Sequence, residues 1–228
     1  MTHPAGARPE AGAAVPRKSR EPTWPPAVAV LVALVLHLAL PAQLTIGPDW
    51  VIPALQALLL LLLLIAVRHR GPEEADWVRR ASMALTGLVT LANVLALQGL
   101  IAGLLGVTRD GLPPKQLLAS AVVIWLTNII VLALWYWELD GGGPGARHSK
   151  DPPLPEFLFP QIDNPSIAPP GWRPTFADYL YVSITNTTAF SPTDTMPLTI
   201  VAKSLMSLQA FASMLIIGLV VARAVNVL

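Results

Sequence analysis

The chain has no cysteine. Disulfides, thiolate nucleophiles and Cys-based zinc or iron–sulfur sites are therefore excluded, and the redox compartment is left open. Charge is scarce too: 13% of residues are Asp, Glu, Lys or Arg, where a soluble domain carries about 25%. The four histidines, His3, His37, His69 and His148, form no H-x-x-x-H pair, so no metal site is expected. Gly141-Gly142-Gly143 lacks the Lys-Ser/Thr of a phosphate loop. Ser183, Ser191 and Thr195 have no neighbouring His or Lys base. No catalytic residue and no cofactor is assigned, and the sequence does not read as an enzyme. With a net charge of +1 and basic residues in short clusters beside apolar runs, no nucleic-acid partner is expected.

What remains is apolar: 54% of the 228 residues are hydrophobic. Leu58 to Leu64 is an unbroken leucine run followed by Ile65, with no polar face to turn toward water. The partner for such surface is a lipid bilayer. Residues 1–26, rich in Ala, Pro and Gly, predict a disordered cytoplasmic tail. Residues 27–138 predict a four-helix transmembrane region. Its first run, from Ala27, is followed by Pro41-Ala42-Gln43 and resembles a signal peptide, but Leu40 sits where cleavage wants a small residue. Continued to Ile46, the run has the roughly 20 residues of an uncleaved span. The second span runs from about Trp50 to Val67 and stops at Arg68-His69-Arg70-Gly71-Pro72; a short basic loop leads to Arg79-Arg80.

The third span, about Met83 to Val107, contains Gly99 and Gly103. Small residues four apart let helices approach closely, so these two are assigned to helix packing. The fourth, about Leu117 to Trp137, ends in the interfacial aromatics Trp135-Tyr136-Trp137. No Asp or Glu lies in these four spans, which counts against an ion-coupled carrier. His37, Gln56, Asn93, Gln98, Asn128 and Gln209 fall within spans and read first as interhelical hydrogen-bond partners. Residues 139–174 are a Pro/Gly-rich linker, and residues 175–228 hold a short polar helix and a final span, about Leu198 to Leu228. The expected fold is thus all-α integral membrane, with about five transmembrane helices.

The short helix carries the most information. Thr175 with Asp178 predicts a capping box and Pro192 an end beyond the Thr-rich stretch, about four turns in all. A helix too short and polar to cross, then a loop, then a full span, describes a re-entrant pore-type hairpin. Tyr179, Tyr181, Ser183, Thr185, Thr187 and Thr188, followed by Asp194 and Pro197 in D-x-x-P spacing, resemble the pore loop of potassium-channel-like proteins. There an aromatic, Ser/Thr-rich pore helix enters Thr-Thr-Val-Gly-Tyr-Gly-Asp-x-x-Pro. The chain is also similar to a group of uncharacterised bacterial multi-span membrane proteins with a terminal hairpin of this kind. The resemblance covers about 50 residues.

What it implies is an ion channel-like pore protein, a homo-oligomer, tetrameric by analogy, with monovalent cations as the transported ions. The filter-like positions are Thr187, Thr188, Ala189, Phe190, Ser191, Pro192, Thr193 and Asp194. Ala189-Phe190-Ser191-Pro192 stands where the channel family has Val-Gly-Tyr-Gly, and proline fixes φ where a carbonyl filter needs glycine. The potassium filter does not transfer. Lys and Arg concentrate in the N-terminal tail and the Arg68 to Arg80 loop, which predicts a multi-pass cell-membrane protein with a cytoplasmic N-terminus. Four crossings then bring the hairpin in from the inside, opposite to potassium channels, so either the pore is inverted or the span count is off by one. Two rivals stay open. One is a non-conducting structural or partner-binding membrane protein. The other is a membrane-embedded enzyme, for which Asp178, Asp194, Glu156 and Asp163 are the available carboxylates.

Overall fold

The computed structural model describes residues 24–44, 50–68, 74–105, 112–148, 151–188 and 194–225. The chain is mostly helical: α1 (Trp24–Leu38), α2 (Val51–Arg68), α3 (Glu74–Leu104), α4 (Pro114–Leu139), a short α5 (Pro160–Asp163), α6 (Phe176–Thr188) and α7 (Ile200–Val225). Two-residue strands β1 (Phe157–Leu158) and β2 (Met196–Pro197) pair antiparallel.

Among the described residues, three helical segments are long and apolar enough to cross a membrane: Arg79–Leu104, Pro114–Gly142 and Ile200–Arg223. The apolar helices Trp24–Leu38 and Val51–Leu62 are shorter. Pro41 explains why α1 stops early. Proline disfavours helix in the residue before it, and the chain turns into a 3-10 segment at Ala42–Leu44 instead of continuing to Ile46. At α3 the difference runs the other way. The helix begins at Glu74, so Arg79 and Arg80 are helical and not loop residues. Arg79 is held there by Glu138, whose backbone carbonyl accepts from its Nη2 at 3.1 Å.

α4 is the centre of the fold. Its C-terminal half joins α1, α2, α3, α6 and the start of α7 in the larger core, which includes Val30, Leu59, Val89, Val131, Tyr136, Val182 and Met206. Its N-terminal half forms a second core, with Leu100, Leu117, Ile124 and Ile216. α7 therefore runs antiparallel to α4 along most of its length, from Ala202 and Met206 in the first core to Ile216 in the second. At Gly103 an added Cβ would lie 2.9 Å from Leu117 Cδ2, so the missing side chain sets how closely α3 meets α4. Gly99 faces Leu44 of the 3-10 turn, at 3.5 Å.

Within residues 139–174, expected as a linker, the described residues around Asp140–Arg147 and Phe157–Phe159 form a cap packed on the end of α4. Phe157 and Phe159 are 1% and 3% exposed and belong to the main core. Burying a phenylalanine ring contributes about 1.5–3 kcal/mol. Their rings make edge contacts with Tyr136 (5.1 Å), Tyr179 (6.3 and 5.4 Å) and Trp172 (5.9 Å). Glycines permit the chain reversal that opens the cap: Gly141, Gly142 and Gly143 have φ of 54°, 73° and 93°, values costly for residues bearing a Cβ.

Candidate functional site

The C-terminal hairpin is held at two polar nodes. The first is at its entrance. Asp140, which caps the end of α4, is buried. Its Oδ1 accepts from the backbone N–H groups of Glu156 (2.7 Å) and Phe157 (3.1 Å), and its Oδ2 accepts from the Tyr179 hydroxyl. Glu156 answers through Oε2, which accepts from Gly141 N at 2.7 Å. One carboxylate thus fixes helix end, cap and hairpin helix together. Arg147 lies beside it, also buried. Its Nη1 donates to the carbonyls of Trp137 (2.6 Å) and Asp140 (3.2 Å), and its guanidinium stands 5.0 Å from the Tyr179 ring centroid. A cation against an aromatic face gains further attraction in a desolvated setting. At α3, Ser82 Oγ donates to Glu138 Oε1 (3.0 Å), and Arg79 Nε is 3.9 Å from Glu138 Oε2.

The second node lies deeper. Gln209 of α7 is 1% exposed. Its Oε1 accepts from the Tyr136 hydroxyl (2.6 Å) and from Asn186 Nδ2 (2.9 Å). Its Nε2 donates to Ser183 Oγ (2.6 Å) and to the Ser183 carbonyl (3.3 Å). Ser183 Oγ in turn donates to the Ile129 carbonyl at 2.7 Å. Polar groups buried away from water need such partners, and this set joins α4, α6 and α7 without a charge.

The start of α6 shows one half of the expected capping box, while Asp178 N donates to the Thr175 backbone carbonyl and not to its hydroxyl. Asp178 Oδ2 accepts from the Thr175 backbone N–H (2.7 Å) and Oγ1 (2.8 Å). From there the helix runs back along α4, with Phe176 against Trp137 (6.1 Å) and Ser183 at Ile129. By Met196 the chain is again at the cap, paired with Leu158, and Leu198 N donates to the Glu156 carbonyl at 2.8 Å.

Of the filter-like positions, Ala189, Phe190, Ser191, Pro192 and Thr193 lie outside the described residues. Thr187 is buried at the end of α6. Thr188 is exposed, its hydroxyl donating to the Ile184 carbonyl at 2.9 Å, and Asp194 is exposed at the return. Tyr179 and Ser183, singled out by motif, both enter the nodes, and so does Gln209. Asn128 is buried in α4, whereas Gln98 is exposed. Asp140 and Arg147 were not singled out, Glu156 was named only as an available carboxylate, and Tyr136 only as an interfacial aromatic. Asp140 had a legible signal, a carboxylate between an aromatic helix end and three glycines; Arg147 had none. Among the described residues no group of three or more His, Asp or Glu is arranged to hold a metal ion.

Fold and interior together define an α-helical protein of membrane type. The chain matches no protein-family model, no curated protein and no solved structure.

Proposed function

We propose that this chain is a multi-pass protein of the cell membrane whose C-terminal module is a channel-like pore hairpin. In this reading α1 to α4 and α7 are five spans, α6 is a re-entrant pore-type helix, and the segment after it is a filter of non-TVGYG chemistry. One observation carries it: α6 descends along α4, and the chain is back at the cap by Met196 before α7 runs the full length. A short helix wedged between an outer and an inner helix is the arrangement of channel pore modules. One hairpin cannot enclose a path, so the working unit is a homo-oligomer, a tetramer by analogy, passing monovalent cations.

Charge supports the orientation. The N-terminal end of α1 and the ends of α2, α3 and α4 nearest Arg68, Arg79 and Asp140 lie toward the cap. All Lys and Arg except Arg109, Lys115 and Arg223 belong to that end or adjoin it in sequence. The cap is then cytoplasmic, as is the N-terminus, and the hairpin enters from inside.

The test is ion flux from liposomes containing the purified protein, under potassium, sodium and chloride gradients. Cation flux altered in rate or selectivity by Asp194→Asn and Phe190→Ala supports the pore. Absence of flux for every ion, from folded protein, overturns it in favour of a non-conducting structural or partner-binding membrane protein. That second reading has its own support: Tyr136, Ser183, Asn186 and Gln209 spend their polar groups on one another inside a single chain.

A further inference from the structure

Away from the hairpin, the first four helices each contribute one polar side chain to a small, partly open cavity between them: His37 from α1, Gln56 from α2, Asn93 from α3 and Thr127 from α4. The rest of its wall is apolar and includes Val89 and Ala96. The sequence scatters these four residues over about 90 positions, and nothing in the hairpin uses them. Gln56 is 1% exposed. Its Nε2 reaches the Ala33 carbonyl at 3.5 Å, while its Oε1 has no hydrogen-bond partner among the described residues. Leaving such an acceptor bare costs about 1–3 kcal/mol.

The cavity volume is about 10 Å³, which corresponds to room for a single water. Its chemistry selects the same occupant. Asn93 offers both a donor and an acceptor, His37 a ring nitrogen of either kind, and Thr127 lone pairs left over after its hydroxyl donates to the Val123 carbonyl at 2.9 Å. A hard cation needs about six oxygen ligands and a transition metal about four nitrogen, sulfur or carboxylate ligands, more than one ring nitrogen and three side-chain oxygens supply. Among the described residues no carboxylate lines this cavity. A water requires two to four polar partners of mixed sense, and four are present.

We propose that this cavity is an internal hydration site for one ordered water molecule, which donates to Gln56 Oε1 and joins the first four helices through His37, Asn93 and Thr127. The water completes the hydrogen bonding of the bundle at a level where lipid can supply none, and it is the exchange partner for the His37 ring proton.

Water-edited solid-state NMR on the full chain in bilayers tests this by transfer of water magnetisation to assigned side chains. Transfer is expected at the Gln56 and Asn93 side-chain amides and at the His37 ring, with little at the Val89 and Ala96 methyls. In Gln56→Leu, which replaces the unpaired amide by an apolar group of similar size, transfer to Asn93 should be lost while the remaining spectrum reports an intact fold. A dry Gln56 amide in the unaltered chain overturns the proposal. So does transfer that reaches the apolar wall and survives Gln56→Leu, because it would mark an open aqueous vestibule. If Gln56→Leu does not fold, Thr127→Val supplies the comparison: it keeps shape, removes one water partner, and should weaken transfer to the Gln56 amide. Unchanged transfer there would count against the site.

Discussion

Tyr136 and Gln209 stand 73 residues apart in sequence, yet they share a 2.6 Å hydrogen bond in the interior. The bond matters because the same Gln209 oxygen also receives Asn186, and its nitrogen holds Ser183. α4, α6 and α7 therefore meet at one amide.

Gln209→Leu should destabilise the protein by about 2 kcal/mol, since interhelical hydrogen bonds in membrane proteins average roughly 0.6 kcal/mol and several are lost together. Tyr136→Phe removes one of them and should cost less. The double variant should fall short of the sum, because Gln209→Leu has already removed the acceptor. Unfolding titrations in mixed micelles measure all three, and strict additivity would argue against a shared node.

At the entrance node, Asp140→Ala removes the acceptor of two backbone N–H groups and of the Tyr179 hydroxyl. Hydrogen bonds to a charged acceptor are worth about 1.5–3 kcal/mol each, so a loss of at least about 3 kcal/mol is expected. Asp140→Asn can keep its oxygen on the backbone pair and turn its amide to Tyr179, and should lose about half as much. Limited proteolysis between residues 151 and 168 provides the check: cleavage should rise in the order wild type, Asn, Ala.

Glycine substitutions should separate two kinds of close approach, with an open position as control. Gly143→Ala combines a φ of 93° with a Cβ 2.7 Å from Arg79 Nε and 3.0 Å from the Glu138 carbonyl oxygen, and should cost about 1–3 kcal/mol. Gly103→Ala meets only the movable end of Leu117 and gains up to about 1 kcal/mol of helix propensity, so it should lie near neutral. Gly145→Ala has nothing within 4 Å and serves as the control. Thermal midpoints of the three variants would reveal the order, and a Gly103→Ala as damaging as Gly143→Ala would contradict it.

Asp178→Ala removes the acceptor that holds the Thr175 N–H and hydroxyl at the start of α6. Losing a helix cap costs about 0.5–2 kcal/mol. Because the cap orients the hairpin helix, hydrogen exchange should accelerate over residues 176 to 180 with little change in α3. Uniform acceleration across the chain would mean that α6 has no independent first turn.

The helices were legible where composition alone decides them. A leucine run or a Trp-Tyr-Trp helix end needs no tertiary information, and Thr175 with Asp178 announces a helix start in four residues. The cap was not legible. Its prolines and glycines read as solvent-exposed chain, and only the fold brings Phe157 and Phe159 against Tyr179. The same holds for the interior amides. Gln56, Asn93 and Gln209 stand out as polar in apolar runs, but partner choice depends on helix rotation, which the broadly apolar surfaces of these helices do not specify. Arg79 illustrates a further limit, since a basic pair beside a span reads equally as loop or as the first turns of a longer helix.

The short ribbon between Leu158 and Met196 has a mechanical consequence. It closes the chain from β1 through α6 to β2 into a loop, and Asp140 ties β1 to the end of α4. Leu198 N donates to the Glu156 carbonyl as well, so the start of α7 cannot shift without dragging the cap. The cap is thus a handle on the last helix: a displacement of β1 is passed to the start of α7 through the ribbon and the Leu198 bond.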